Sequence, residues 1–398
     1  MKILILSTKM PWPARDGGAI ATLNMALGLV RKEIQVTLLT MNTGKHYFPE
    51  TELPGDLKEK ITILSVNVDT RIRPLRLMLN FLFSRYPYNA RRFISKSFKA
   101  KLAACLASDD FDIVQLEGPY LSHYIPTIRG RAMIALRAHN QEHRIWKLMS
   151  EKEGNPLKRF YLKNLARRIT VLERKLLSQV DLLVPISYED SLGFDQLGHT
   201  LPVAVIPTGI DISDYPLNEK EERLLLFFIG ALDWGPNQEG LDWFFREIWP
   251  GIRVRWPELT LHLAGRNPDY YFKGKSPPEN VVLEGEVDDA IGFFHRHTVM
   301  IVPLLTGSGI RIKILEAMAM GKAVISTGIG AAGLHARNGE HLFLADTCDE
   351  YLNVLETLQA KPGLLRQTGM KARQFVRENF DILALSEKLI SFYKDQLA

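Results

Sequence analysis

Short, nearly continuous apolar runs alternate with helix-length segments along the whole chain, and they do so in two series. The first series reads KILILS, QVTLLTM, ITILSV, DIVQLEG, AMIALRAH and DLLVPIS, separated by amphipathic stretches such as GGAIATLNMALGLVRK. After Pro207 the pattern restarts with RLLLFFIGAL, LTLHLAG, NVVLEGEV, TVMIVPLL and KAVIST. Strands apolar on both faces belong to parallel sheets covered on both sides, and helices between them supply the crossovers. The chain is also too long, at 398 residues, for one hydrophobic core. The expectation is an α/β protein of two doubly wound Rossmann-like domains facing across a cleft. Residues 1–208 form the first and 209–380 the second. A helix over 381–398 crosses back to the first. The join is VIPTGIDISDYP, a run punctuated by Pro, Gly and Asp.

A hydrophobic fraction of 46% and a charged fraction of 24% are those of a globular protein. No run approaches the roughly 18 apolar residues of a membrane span, and MKILILS reads as a buried strand rather than a signal-peptide core. Cys105 and Cys348 are far apart in helix-like sequence, which points to a reducing, cytoplasmic setting and away from a disulfide framework. Charge is unevenly spread. Residues 1–208 hold 30 Lys and Arg against 19 Asp and Glu, a net of +11, whereas 209–398 hold 20 against 26, a net of −6. Nine cations and no acid fall between Arg71 and Lys101, interleaved with Leu, Phe and Tyr. That stretch suits either a solvated helix face or an anionic membrane surface. No nucleic-acid-binding motif accompanies it, so no nucleic-acid partner is expected.

Ligands of open parallel sheets bind beyond the carboxyl ends of the strands, so the loops after strands are the places to look. After KILILS, Gly17 and Gly18 open a helix where backbone amides could meet a phosphate, although no GxGxxG is present. The fifth run ends in RAHNQEH, which puts His139 at a strand end, ready to hydrogen-bond a substrate hydroxyl. His139, Glu142 and His143 spell H-x-x-E-H, but that zinc signature requires a single helix. Asp110-Phe111-Asp112 spells D-x-D at a strand start and reads as a turn and cap. The densest signal is GSGIRIKILEAMAMGKAVIST, Gly307–Thr327. Two cations at a helix N-terminus oppose the helix dipole, and their placement makes sense if an external anion belongs there. Arg311 offers a planar fork to phosphate, Lys313 a compact charge, and Glu316, one turn deeper, a carboxylate for the two hydroxyls of a ribose.

These residues resemble a known family. LEAMAMGKAVIST followed by GIGAAGL is similar to the signature of retaining glycosyltransferases of family 4, which have the GT-B fold. MKILILSTKMPWPARDGGAI, VIPTGIDISDYP, GALDWGPNQEGLDWF and LHLAGRNP resemble further segments of that family in the same order, over most of the chain. The resemblance implies metal-independent transfer of a hexose from a UDP- or GDP-sugar to a glycan, lipid-linked or small-molecule acceptor, with no cofactor. It implies that Arg311 and Lys313 bind the diphosphate, Glu316 the ribose, and His139 the donor sugar. Gly17 and Gly18 meet phosphate and acceptor, and Val287 lies near the base. Ser308 takes the place of the first of two family glutamates, so the contact to the sugar hydroxyls is either lost or made by backbone amides at Gly309 and Ile310. GALDWGPNQ lacks the family's Arg and Lys, and Arg311, helped by Arg266, is the candidate substitute. Asp16, Asn140 and Glu117 are the candidate acceptor-side residues. Two other readings are a nucleotide-sugar epimerase using Glu117 and a non-catalytic binding subunit.

Overall fold

The computed structural model describes residues 1–14, 16–217, 223–274, 276–306, 309–361 and 363–398. Two compact units result: Met1–Gly209 with Ile382–Ala398, and Ile210–Asp381. The first contains β1 (Lys2–Ser7), β2 (Gln35–Thr43), β3 (Thr62–Val68), β4 (Ile113–Glu117), β5 (Met133–Ala138) and β6 (Leu182–Pro185). Its sheet order is β3-β2-β1-β4-β5-β6, and every pair is parallel. The apolar runs are buried on both faces. In β1, Leu4 and Leu6 enter one core cluster while Ile3 and Ile5 enter another.

The second unit contains β7 (Leu226–Ile229), β8 (Leu261–Ala264), β9 (Val281–Gly285), β10 (Val299–Val302), β11 (Ala323–Ser326) and β12 (Phe343–Leu344). Its order, β12-β11-β10-β7-β8-β9, repeats the topology of the first and is again parallel throughout. β12, only two residues long, has no recognisable sequence pattern. In this strand order the chain reverses direction of travel between β1 and β4, and between β7 and β10. Loops diverge there, and the carboxyl ends of those strands open a crevice.

The Ile382–Leu397 helix packs against the Gly17–Arg31 helix through Ile382, Leu385, Leu389 and Tyr393, which share the core face of β1. The helices approach at Gly28, where an added Cβ would overlap Ser386 Oγ and lie 2.9 Å from Ile382 Cγ1. Gly28→Ala therefore overpacks a closed contact, and an expected loss of about 1–3 kcal/mol should appear as a lower urea midpoint. An unchanged midpoint would show that the helices separate at no cost.

Candidate functional site

In the second domain, loops from β7, β8 and β10 meet at the carboxyl end of the sheet. Gly230 and Gly265 let the first two touch: a Cβ on Gly265 would overlap the Gly230 carbonyl, and Gly230 N donates to Ala264 O at 3.1 Å. A Cβ on Gly230 would lie 3.2 Å from Lys313 Nζ, so this glycine leaves the lysine its place. Lys313 donates to Asn237 Oδ1 at 3.3 Å and sits 4.3 Å from the Phe228 ring centroid. Burial pushes its pKa down to about 7, with Arg311 adding to the shift and Glu316 opposing it. Arg311 is 8% exposed, with its guanidinium 6.0 Å from the Trp234 ring centroid, and burial lowers its pKa too.

The helix that follows, Ile312–Ala319, has Arg311 as its N-cap. No side chain caps it and its first turn holds no acid. Helices normally satisfy these orphan amides with a Ser, Thr, Asp or Asn. Here the first-turn amides lie beside two partly desolvated cations instead, an arrangement complementary in charge to an anion. Gly309 is in the left-handed region, with φ of 77°, and the GIGAAGL loop closes on its neighbour, Gly333 Cα lying where a Cβ would be 3.6 Å from Ile310 Cγ1.

Glu316 accepts a hydrogen bond from Tyr215 Oη at 3.0 Å. Burial raises its pKa, against Tyr215 and Lys313. Tyr215 is a partner of the candidate-site residue Glu316 that sequence reasoning passed over, although it lies inside VIPTGIDISDYP. Arg266 is ion-paired with Asp233 at 3.1 Å, and Asn267 donates to the same carboxylate at 2.8 Å. Arg266 thus ties the β7 and β8 loops together. Val287 lies half-buried just beyond β9. The expectation on Ser308 falls, with Gly307, outside the described residues.

In the first domain, His139 immediately follows β5, and its Nε2 lies 2.5 Å from Glu117 Oε2 at the end of β4. Glu117 also faces Arg137 at 3.4 Å and accepts from Thr22 Oγ1 at 3.0 Å and Gln115 Nε2 at 2.5 Å. Tyr393 Oη, from the returning helix, donates to Gln115 Oε1 at 2.7 Å. Burial would push the Glu117 pKa up, but Arg137 and His139 outweigh it and bring it down to about 2. The expected acceptor-side role of Glu117 is therefore corrected: its side chain is 3% exposed and its oxygens are engaged. It anchors His139, holding the imidazole by one nitrogen.

Asp16 caps the Gly17–Arg31 helix, accepting from Gly18 N and Ala19 N, both at 3.0 Å, and it pairs with Lys9. The Gly18 amide expected to meet phosphate is already bonded, and the glycine instead makes room for Lys9, whose Nζ would lie 2.7 Å from a Cβ there. Gly17 begins the helix, and half-buried Asn140 adjoins His139. His143 pairs with Glu173 at 2.6 Å, so the H-x-x-E-H residues do not converge. Asp112 accepts from the Lys2 amide at 2.7 Å, a long-range bond at the start of the sheet rather than the turn and cap expected for the D-x-D. Among the described residues, His262, Glu284 and His297 bring metal-ligand atoms within 4.8 Å of one another. His262 Nδ1 is bonded to Glu284 at 2.7 Å and His297 Nδ1 to the Phe293 carbonyl at 2.7 Å, so the group has internal partners.

Residues 223–360, most of the second domain, match the family model for glycosyl transferases group 1. The chain is a GT-B-fold protein related to these glycosyltransferases. Over its whole length it is 22% identical to an uncharacterized 44.6 kDa protein in the cps region of Klebsiella pneumoniae, covering 96% of each chain. Among solved structures, sucrose-phosphate synthase from Thermosynechococcus elongatus superposes with a TM-score of 0.69 at 14% identity, covering 100% of this chain and 99% of the other. Anabaena HepE in complex with UDP gives a TM-score of 0.67 at 15% identity, covering 99% of this chain and 100% of the other.

Two outcomes follow from the charges. A diphosphate beside Lys313 restores its ammonium, so nucleotide binding at pH 8 should take up about one proton. Calorimetry in buffers of different ionisation enthalpy reads this, and uptake that persists in Lys313→Met would refute it. Glu117→Gln leaves Arg137 buried without its counter-charge, an expected loss of about 3–5 kcal/mol in denaturant unfolding. The Glu117 contribution is in place above pH 4.5 and disappears as pH falls toward 2, because its pKa is depressed in the folded state.

Proposed function

We propose that this GT-B glycosyltransferase is a retaining, metal-independent enzyme that moves a hexose from a UDP- or GDP-sugar to a glycan, lipid-linked or small-molecule hydroxyl. The observation that carries the reading is the uncapped N-terminus of the Ile312–Ala319 helix with Arg311 and Lys313 beside it. Cleavage of the sugar–phosphate bond sends its electron pair to the diphosphate. Arg311, Lys313 and the amides near Gly309 and Ile310 neutralise the charge that develops, worth about 10²–10³ in rate for each well-placed donor. The acceptor hydroxyl attacks the face the diphosphate leaves, and a departing phosphate oxygen takes its proton. No protein nucleophile is required. His139, steadied by Glu117, hydrogen-bonds the donor sugar, and Glu316 takes the ribose with the oxygen that Tyr215 leaves open.

HepE, a structural relative, was solved with UDP and with UDP-glucose, which favours a uridine donor. The free thiols of Cys105 and Cys348 favour a cytoplasmic setting. Glu117, held ionised, counts against its use as an epimerase acid.

A thermal-shift screen of UDP, GDP and their sugars should single out one base, because a ligand at 100 times its Kd stabilises by about 2.7 kcal/mol. With that donor, Arg311→Ala and Lys313→Ala should each lower kcat/KM at least ~100-fold at unchanged melting temperature. Chelator should have no effect, and NMR should find the donor's anomeric configuration in the product. Wild-type turnover by both variants, or an inverted product, would overturn the reading.

A further inference from the structure

The Pro74–Phe83 helix of the first domain is inside out. Leu75, Met78, Leu79 and Leu82 fall at i, i+3, i+4 and i+7, the spacing of a core-facing stripe. Here that stripe meets solvent, at 65%, 51%, 45% and 61% exposure, while the helix's one buried residue is Asn80. Ile72 and Phe83 extend it at either end, at 63% and 81%. The helix is firmly seated. Arg168 donates to the carbonyls of Asn80 and Phe81 at 3.1 and 2.6 Å, and Asn80 Nδ2 donates to Tyr86 O at 3.1 Å. The Phe81 ring meets Phe160 and Tyr161 at 6.1 and 5.6 Å. Phe160 and Leu157, on the neighbouring Pro156–Leu177 helix, are themselves 63% and 81% exposed and prolong the ridge.

A groove of about 730 Å³ runs beside the ridge, lined by Arg71, Arg73, Arg76, Arg91 and Arg92 with Asp69 as its one acid. Arg71 and Arg73 share Asp69, at 3.0 and 2.9 Å, and Arg92 donates to the Thr70 carbonyl at 3.0 Å. Among the described residues, Arg76 and Arg91 meet no carboxylate. Five guanidiniums around one carboxylate are in want of an anionic occupant, and guanidinium is suited to phosphate.

We propose that this face docks on an anionic lipid bilayer, with the apolar ridge in the headgroup–acyl boundary and the arginine groove holding lipid phosphates. The two features argue for one occupant. A dissolved phosphate has no use for the ridge, and a second copy of the chain would bring five arginines against five. Exposed apolar side chains flanked by cations are the composition of an interfacial helix. At ten residues the helix is too short to span, and among the described residues no helix is long and apolar enough to cross a membrane. This goes beyond the sugar-transfer reading and does not rest on it.

The test is sedimentation of the full chain with vesicles of phosphatidylcholine alone or with 30% phosphatidylglycerol, with no donor present. The protein should pellet with the anionic vesicles and stay in solution with the neutral ones. Arg76→Glu with Arg91→Glu should weaken binding at least ~10-fold at low salt. Leu82→Ser with Phe83→Ser should abolish the fraction that survives 0.5 M salt, at unchanged melting temperature. The proposal falls if the chain ignores anionic vesicles or both double variants bind as wild type. It also falls if 10 mM inorganic phosphate saturates the groove and leaves vesicle binding untouched. Light scattering that shows a dimer broken by Leu82→Ser with Phe83→Ser would instead assign the ridge to a second copy.

Discussion

Two like charges, Arg311 and Lys313, are held two residues apart in a partly desolvated place, and the second domain is arranged to tolerate them. Burial and, after it, repulsion from Arg311 oppose charge there and bring the lysine pKa down to about 7. Nearby choices follow from that constraint. Gly230 leaves the ammonium room, Asn237 gives it an acceptor, Phe228 gives it a π face, and the helix end beside it carries no acid that would quench the site. The work of desolvating these two cations and placing them side by side is done by folding.

The first domain solves the opposite problem. It buries an anion, Glu117, and surrounds it with Arg137, Thr22, Gln115 and His139. The result is a stiff carboxylate from which one partly exposed imidazole projects. The same fold, with the same strand order, thus places an anchored anion at the end of β4 and anchored cations after β10. Each lies beside its sheet's switch point, where the topology alone opens a crevice.

Much of this was legible in the residues. Eleven of the twelve strands announce themselves as apolar runs, the central ones because parallel strands are buried on both faces, whereas the edge strands β3 and β9 are only partly covered. The Arg311–Glu316 spacing also carries its own chemistry, since a helix start with two cations and no cap is hard to read otherwise. What sequence could not show depends on contacts between distant segments. Asp16 beside two glycines looks like a phosphate loop until its carboxylate is seen on the Gly18 and Ala19 amides. Glu117 at a strand end looks like an acid–base group until Arg137 is found against it, although both face the same side of neighbouring strands. Tyr215 offers no local signal, because its partner is 101 residues away. The basic stretch from Arg71 was visible as composition, but only the structure separates its outward ridge from its arginine groove.

The return of the Ile382–Leu397 helix has a consequence for biosynthesis. Its side chains fill the core face of β1, and Tyr393 supplies the outermost link in the chain of bonds that ends at His139. The ribosome makes that helix only after every residue of the intervening domain. The amino-terminal sheet must therefore wait, one face covered only in part by the Gly17–Arg31 helix, while its neighbour is translated, and the imidazole gains its full support only once the returning helix has been made.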